Sequence, residues 1–70
     1  MKAPLDIQVN GEPTQVAAGA TLADLVEQLA LGCRKIAVAV NRDVVPRSNF
    51  SKHSIEAADQ IEILEAVGGG

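Results

Sequence analysis

Apolar periodicity switches in this chain from two to 3.6 and back, and that order limits the folds open to it. Leu5-Asp6-Ile7-Gln8-Val9 alternates apolar with polar residues, the pattern of a strand with one buried face. Asn10-Gly11 follows, the strongest short signal for a tight hairpin, with Pro13 in or just after the turn and residues 14–16 as the return strand. Gly19 breaks the chain, and Thr21 with Asp24 three residues later makes an approximate capping box. Leu22, Leu25, Val26 and Leu29 then share one face of a helix of about three turns, which Gly32 is expected to end. Alternation resumes at Ile36-Ala37-Val38-Ala39-Val40, where Ile36, Val38 and Val40 point one way and the alanines the other. Asn41-Arg42-Asp43 turns the chain, Val44-Val45 is a short strand stopped by Pro46, and a last strand covers residues 60–67. Residues 47–58 are polar and irregular, with one helical turn expected near residues 48–52. This order predicts an α+β domain, a mixed four- to five-stranded sheet with one helix packed across it. The helix is long enough to act as a crossover that sets a later strand parallel to the first.

At 70 residues the chain is one domain near the lower limit for independent folding. Its hydrophobic fraction of 47% argues against disorder. Phe50 is the sole aromatic residue, so the core must be built from Val, Ile, Leu and Ala. The single cysteine, Cys33, leaves no internal disulfide to reinforce that core and fits a reducing compartment. No segment has the apolar length of a membrane span, and the N-terminus lacks a signal-peptide pattern, so the cytosol is the expected location. The net charge is −3, and no basic cluster extends beyond Arg34-Lys35. With one aromatic side chain to stack on bases, nucleic-acid binding has little support. Glu56, Asp59, Glu62 and Glu65 gather toward the end of the chain, either as a solvated strand face or as a field that steers docking onto a basic surface.

The sequence closes on Val67-Gly68-Gly69-Gly70. Each glycine loses more backbone entropy on ordering than any other residue, so three in succession serve no structural end. They make sense if the final carboxyl group is the working part. Glycine lacks Cβ, so Val67, Gly68 and Gly69 would pass a channel too narrow for other residues, and the Gly70 carboxyl carbon is unhindered. Three extended residues reach roughly 10 Å, enough to enter a partner's active site while the domain stays outside. The organisation expected is a domain over residues 1–67 and a flexible glycine tail over 68–70.

The same element order, joined to a terminal Gly-Gly, resembles the ubiquitin-like β-grasp sulfur carriers, and among them the ThiS-like carriers of thiamine biosynthesis. Four stretches carry the likeness: Ile7-Gln8-Val9-Asn10-Gly11; Gly19-Ala20-Thr21-Leu22-Ala23-Asp24-Leu25; Ala37-Val38-Ala39-Val40-Asn41 followed by Val44-Val45-Pro46-Arg47-Ser48; and Asp59-Gln60-Ile61-Glu62-Ile63 with Gly69-Gly70. Where such carriers often have an Asp-Gly-Asp turn before the last strand, this chain has Ala57-Ala58-Asp59, and a positive φ there would suit Ala58 poorly. The tail also carries an additional glycine, Gly68.

The resemblance implies a chemistry for Gly70. A terminal carboxylate is an anion at neutral pH, and its oxygens are poor leaving groups. An ATP-dependent, E1-like adenylating enzyme would convert it to an acyl-adenylate, and a sulfur donor protein would displace AMP to leave a thiocarboxylate. That sulfur would enter the thiazole ring at thiazole synthase. The carrier would bind no cofactor, ATP being used by the partner; it would be a co-substrate rather than an enzyme, and a monomer when free.

The remaining polar residues offer no competing chemistry. His53 is the only histidine and lies in a polar loop beside Lys52. Cys33 neighbours two cations that could lower its pKa, yet it has no resolving partner and no metal set. Arg47 follows Pro46 and is either a partner contact or a hydrogen-bond donor that holds the 47–58 loop. If the strand order of the resemblance holds, the last strand lies beside Ile36–Val40. Ile61 and Ile63 then face the helix, while Leu64 and Ala66 join Ala37 and Ala39 in a mildly apolar outer patch for partner docking. The rival readings are a sulfur carrier resembling the small subunit of molybdopterin synthase and a ubiquitin-like modifier or interaction domain.

Residues 68–70 bury no side chain, so their deletion is expected to leave the melting temperature unchanged while abolishing activation of the carboxyl terminus. Thermal unfolding of the truncated chain beside the parent checks this, and a large drop would place the glycines in the fold.

Overall fold

The computed structural model describes residues 3–31 and 35–65. Five strands form one sheet: β1 (Leu5–Val9), β2 (Glu12–Val16), β3 (Ile36–Val40), β4 (Asp43–Val45) and β5 (Gln60–Glu65). One α-helix, α1 (Leu22–Gln28), links β2 to β3, and a 3₁₀ helix, η1 (Arg47–Lys52), follows β4. The sheet order is β2-β1-β5-β3-β4, so the last strand in sequence lies in the middle. β5 runs parallel to β1 and antiparallel to β3, the mixed β-grasp arrangement that the sequence led us to expect. The strand directly after the helix, β3, is therefore antiparallel to β1, and the later parallel strand is β5.

Alternation along the strands builds one apolar layer under the helix. Ile7, Val16, Val38, Val40, Val45, Ile61 and Ile63 are buried on the inner face, against Leu22, Leu25 and Val26 of α1 and Phe50 of η1. Leu22 and Leu25 have no exposed surface. Each such side chain contributes on the order of 1.5–3 kcal/mol on leaving water, which is how an almost wholly aliphatic core holds a chain of this size.

Both hairpins use two-residue turns. Asn10 and Gly11 have φ of 52° and 83°, and Asn41 and Arg42 have 50° and 74°, the paired positive values of a type I′ turn whose twist matches that of the strands. The first turn closes at Val9 opposite Glu12, so β2 begins two residues earlier than its alternation indicated. Pro13 lies just after the turn, within β2 and opposite Gln8. That position is open to proline because β2 is an edge strand and the missing N–H faces outward. The same edge is covered further along by Gln28, whose Nε2 donates to the Gln15 carbonyl at 3.1 Å.

The capping box is present in full. The Asp24 N–H donates to Thr21 Oγ1 at 3.3 Å, and the Thr21 N–H donates to Asp24 Oδ2 at 2.9 Å. The far end of α1 differs from expectation. The helix stops at Gln28 after seven residues, about two turns rather than three. Leu29 caps it, and Ala30 takes a left-handed φ of 59°. The Ala30 N–H donates to Glu27 O at 3.0 Å and the Leu31 N–H to Val26 O at 2.9 Å. This is a Schellman end with alanine where glycine is usual; Gly32 lies outside the described residues, as does Cys33.

The segment between η1 and β5 is tied down by backbone bonds. Leu22 N–H donates to His53 O, and Ile55 N–H donates to Ala20 O, which pins residues 53–55 against the start of α1. Before β5 the chain turns through Ala58, whose φ is 67°. The substitution in the Ala57-Ala58-Asp59 turn thus keeps the left-handed geometry and carries its strain, while Ala58 N–H donates to Asp6 O at 2.8 Å.

Ala30→Gly and Ala58→Gly are each expected to raise the free energy of unfolding by about 0.5–1 kcal/mol, because the left-handed penalty of an L-residue, about 1–2 kcal/mol, exceeds the extra chain entropy of glycine. Urea titration checks this, and an unchanged midpoint for both would show that the turns relax without cost.

Candidate functional site

The side of the sheet away from α1 carries the candidate site. Along β5, Ile61 and Ile63 are 1% and 9% exposed, whereas Leu64 is 69% exposed. Two consecutive residues of one strand differ this much because their side chains leave opposite faces. In register, Leu64 lies opposite Ala37, and Glu62 opposite Ala39. Ala37 is exposed and Ala39 half-buried. The expected patch of Ala37, Ala39 and Leu64 therefore exists as one surface. Ala66, its fourth expected member, lies outside the described residues, as do Val67, Gly68, Gly69 and Gly70.

The structure adds Val44, which the sequence reading left without a face. It is the most exposed large apolar residue described, at 76%, and lies opposite Ala39 on β3. The signal was available. A two-residue turn at Asn41-Arg42 fixes the β3–β4 register, and that register puts Val44 on the face of the alanines while Val45 goes inward. The apolar surface thus crosses three strands, from Leu64 through Ala37 and Ala39 to Val44.

The outer face is divided. Its other half, on β1, β2 and the start of β5, presents Asp6, Gln8, Pro13, Gln15 and Gln60, with Gln15 Nε2 donating to Asp6 Oδ1 at 2.9 Å. Glu62 lies at the boundary between the halves. Beyond Val44 the apolar half continues into a shallow groove of about 330 Å³ lined by Val44, Val45, Pro46, Asn49, Lys52 and His53. No carboxylate lines this groove, although the chain as a whole is acidic.

Arg47 opens η1 and is exposed, with its guanidinium carbon 5.9 Å from the centre of the Phe50 ring. At that distance the ring face attracts the cation weakly. Arg47 thus covers the one aromatic member of the core and adjoins the Val44-to-Pro46 surface through the chain. Among the acidic residues, Asp59 does not belong to a steering surface. It is 7% exposed and accepts from Glu56 N–H at 2.9 Å and Asn41 Nδ2 at 3.1 Å, so its charge is spent inside the turn. Glu56, Glu62 and Glu65 remain exposed.

Two asparagines turned out to do more than permit hairpins. Asn10 Oδ1 accepts from Ile63 N–H at 2.8 Å, and its Nδ2 donates to Ile63 O at 3.2 Å. Asn41 Oδ1 accepts from Gln60 N–H at 3.0 Å. Each hairpin therefore grips the central strand, from opposite edges, one at Gln60 and the other at Ile63. Among the described residues no group of histidine, cysteine and carboxylate side chains could hold a metal ion, and no helix is long and apolar enough to cross a membrane. His53 is half-buried in the groove wall, with its carbonyl committed to the helix start.

Comparison with known proteins agrees with this geometry. The ThiS family profile matches residues 7–70. A sulfur carrier protein ThiS of Escherichia coli is 35% identical over 66 residues, which cover 94% of this chain and 100% of that protein. A thiazole synthase of Paramagnetospirillum magneticum is 32% identical over 66 residues, covering 94% of this chain but 20% of the synthase. The crystal structure of a thiamine biosynthesis protein (ThiS) from Geobacter metallireducens superposes with a TM-score of 0.80 at 28% identity, covering 94% of this chain and 100% of that one. The match runs from β1 through the terminal glycines, and with it the chain belongs to the ThiS family.

Proposed function

We propose that this chain is a sulfur carrier of thiamine biosynthesis, a cytosolic protein co-substrate rather than a catalyst. The observation that carries this reading is an exposed apolar face on β5, the strand that precedes the terminal glycines in the chain. Leu64, the exposed apolar residue of β5, is six residues before Gly70. A partner seated on Leu64 would find the Gly70 carboxyl group within roughly 20 Å along an extended chain.

The chemistry follows from what a carboxylate lacks. The Gly70 carboxylate attacks the α-phosphorus of ATP in an adenylating partner, and pyrophosphate leaves. The acyl-adenylate then has a good leaving group: sulfide delivered by a sulfur donor protein attacks the carbonyl carbon, a C–S bond forms as the C–O bond to AMP breaks, and a thiocarboxylate remains. The Gly70 carboxylate is the nucleophile of the first step, and the catalytic groups for both steps belong to the partners. The chain's other contributions are the docking surface of Ala37, Ala39, Leu64, Ala66 and Val44, a contact from Arg47, and a slim approach through Val67, Gly68 and Gly69. Thiazole synthase is the acceptor partner. A synthase that carries a segment similar to this chain supports that choice, because joining carrier and acceptor raises the effective concentration of one at the other.

Leu64→Glu and Val44→Glu are expected to leave stability within about 0.5 kcal/mol, since both positions are exposed. Each should weaken binding to the adenylating enzyme by more than tenfold, or about 1.4 kcal/mol, because a charge would be buried there without a partner. Calorimetric titration beside thermal unfolding checks both halves; unchanged binding would move the docking site off this face.

Incubation with ATP, the adenylating enzyme and a sulfur donor is expected to exchange one oxygen of Gly70 for sulfur, read by intact mass. Gly69→Val should block that exchange while keeping the parental circular dichroism, because a β-branched side chain restricts the backbone and fills a glycine-sized channel. Sulfur found on Cys33, or Gly69→Val modified at the parental rate, would overturn the tail-threading account.

A further inference from the structure

We infer that Asn10 is a positioning residue for activation of the carboxyl terminus: its side chain takes over from β1 and holds the tail-ward half of β5 in line. This inference rests on the sulfur-carrier reading above.

The need for such a residue comes from the topology. β1 is paired with β5 only through Gln8 opposite Gln60 and Val9 opposite Ile61. The Asn10 N–H adds one more bond, to Ile61 O at 2.8 Å, and the backbone then reverses at Asn10 and Gly11. β5 continues for four residues after Ile61 to reach Glu65. On its other edge it stays paired with β3 as far as Ile36 opposite Glu65. The β1 edge would lose its partner at the point where β5 turns from core strand into the approach to the tail.

Asn10 fills that gap with a primary amide, which has the same donor and acceptor as a peptide group. Oδ1 accepts from the Ile63 N–H at 2.8 Å and Nδ2 donates to the Ile63 carbonyl at 3.2 Å, so the side chain makes the pair of bonds a strand residue would make. The position sets two demands together. It must accept a left-handed φ of 52°, and it must present donor and acceptor at short reach. Glycine meets the first demand and aspartate has no donor for the second; asparagine meets both. The turn and the clasp are therefore one device, and the turn geometry aims the amide at β5.

The clasp acts on tail delivery rather than on docking. Leu64 is held from the β3 edge by its pairing with Ala37, and Ala39 and Val44 lie further away on that side. Loss of the Asn10 amide leaves those contacts in place and frees the N–H and C=O of Ile63 on the β1 edge of β5. A shift of β5 at Ile63 would change the point from which the chain sets out, over seven residues, toward the Gly70 carboxyl group. Misplacement of a reacting group by about 1 Å can cost a hundredfold in rate.

Asn41 provides the internal control. It has a φ of 50°, opens the other type I′ turn, and clasps Gln60 N–H at 3.0 Å, but it acts at the beginning of β5. The full chain and its Asn10→Gly, Asn10→Asp and Asn41→Gly variants are compared with the adenylating enzyme and ATP, reading carrier-dependent pyrophosphate release, melting temperature and amide exchange at Ile63 and Gln60. Glycine keeps both turns, so Asn10→Gly deletes the clasp on Ile63, and Asn41→Gly deletes the clasp on Gln60 together with the Nδ2 bond to Asp59. Asn10→Gly is expected to speed exchange at Ile63 and lower kcat by about tenfold, with KM within about twofold of the parent. Asn41→Gly is expected to speed exchange at Gln60 and lose comparable stability while keeping kcat within about twofold. Should Asn10→Gly fail to fold, Asn10→Asp keeps the acceptor for the Ile63 N–H and is expected to lose several-fold in kcat; activation at the parental rate overturns the proposal. Equal losses in the two Gly variants also overturn it, since they would reflect stability alone. If the parent releases no pyrophosphate, the carrier reading falls and this proposal with it; if the parent does and Asn10→Gly matches it, only the positioning role falls.

Discussion

The structure depends on the insertion of β5 between β1 and β3. Before that strand is in place, the chain holds two separate hairpins, β1–β2 and β3–β4, joined by a helix whose apolar face has half a sheet to cover. β5 joins them through parallel pairing on one edge and antiparallel pairing on the other, and it adds Ile61 and Ile63 to the core. Burial of those two side chains supplies a few kcal/mol, and the sheet order makes every other inner-face contact continuous. Long-range pairing of this kind closes a large loop before it is rewarded. The asparagine clasps from both turns and the buried Asp59 carboxylate are short-range means of fixing the register once the strand has arrived.

The same insertion makes the molecule suited to carry a group at its end. As far as Ile63 this strand is held from two sides, by β1 and the Asn10 amide on one edge and by β3 on the other. Because side chains alternate, that strand also sends Leu64 outward, beside Ala37, while its neighbour Ile63 is buried. The proposed docking residue Leu64 and the end of β5 at Glu65 thus lie one peptide plane apart. The polar half of the outer face, rich in amides and carboxylates, limits an apolar partner to the β3–β4 side, and the edges of the sheet discourage further strands. β4 has three residues and runs into Pro46, and β2 carries Pro13 and the Gln28 cover.

Local signals were legible where one residue type meets a local physical demand. Thr21 and Asp24 marked the helix start because a side-chain oxygen three residues from its partner satisfies the first free N–H groups wherever the helix lies. Asn10-Gly11 marked a type I′ hairpin because few other residues accept two successive positive φ values. The helix end was misjudged because Gly32 looked like the stop, whereas Ala30 bears the left-handed φ. Tertiary packing of Leu29 and Leu31 against the core overrides the preference for glycine there. The start of β2 was set two residues late for the converse reason: the exclusion of proline from strands holds for paired positions, and whether β2 is an edge is not a property of residues 12–16. The face of Val44 was readable in principle, since it follows from one turn length, but it acquires meaning only once β3 has a place in the sheet.

By itself the sequence determined the succession of elements, the inward parity of Ile61 and Ile63, the capping box, the hairpin at Asn10-Gly11 and, through its likeness over the whole chain, the family. These are properties of neighbours along the chain, governed by steric limits on φ and ψ and by the period of side-chain burial. Only the tertiary structure decided that Asn10 and Asn41 turn their amides onto β5, that Asp59 is an interior acceptor and not part of an acidic surface, and that Leu64, Ala37, Ala39 and Val44 form one face. Each of those joins residues between 18 and 53 positions apart or lying on different strands. Whether a polar group faces water or a peptide is set by what the fold brings next to it, and no local pattern contains that information.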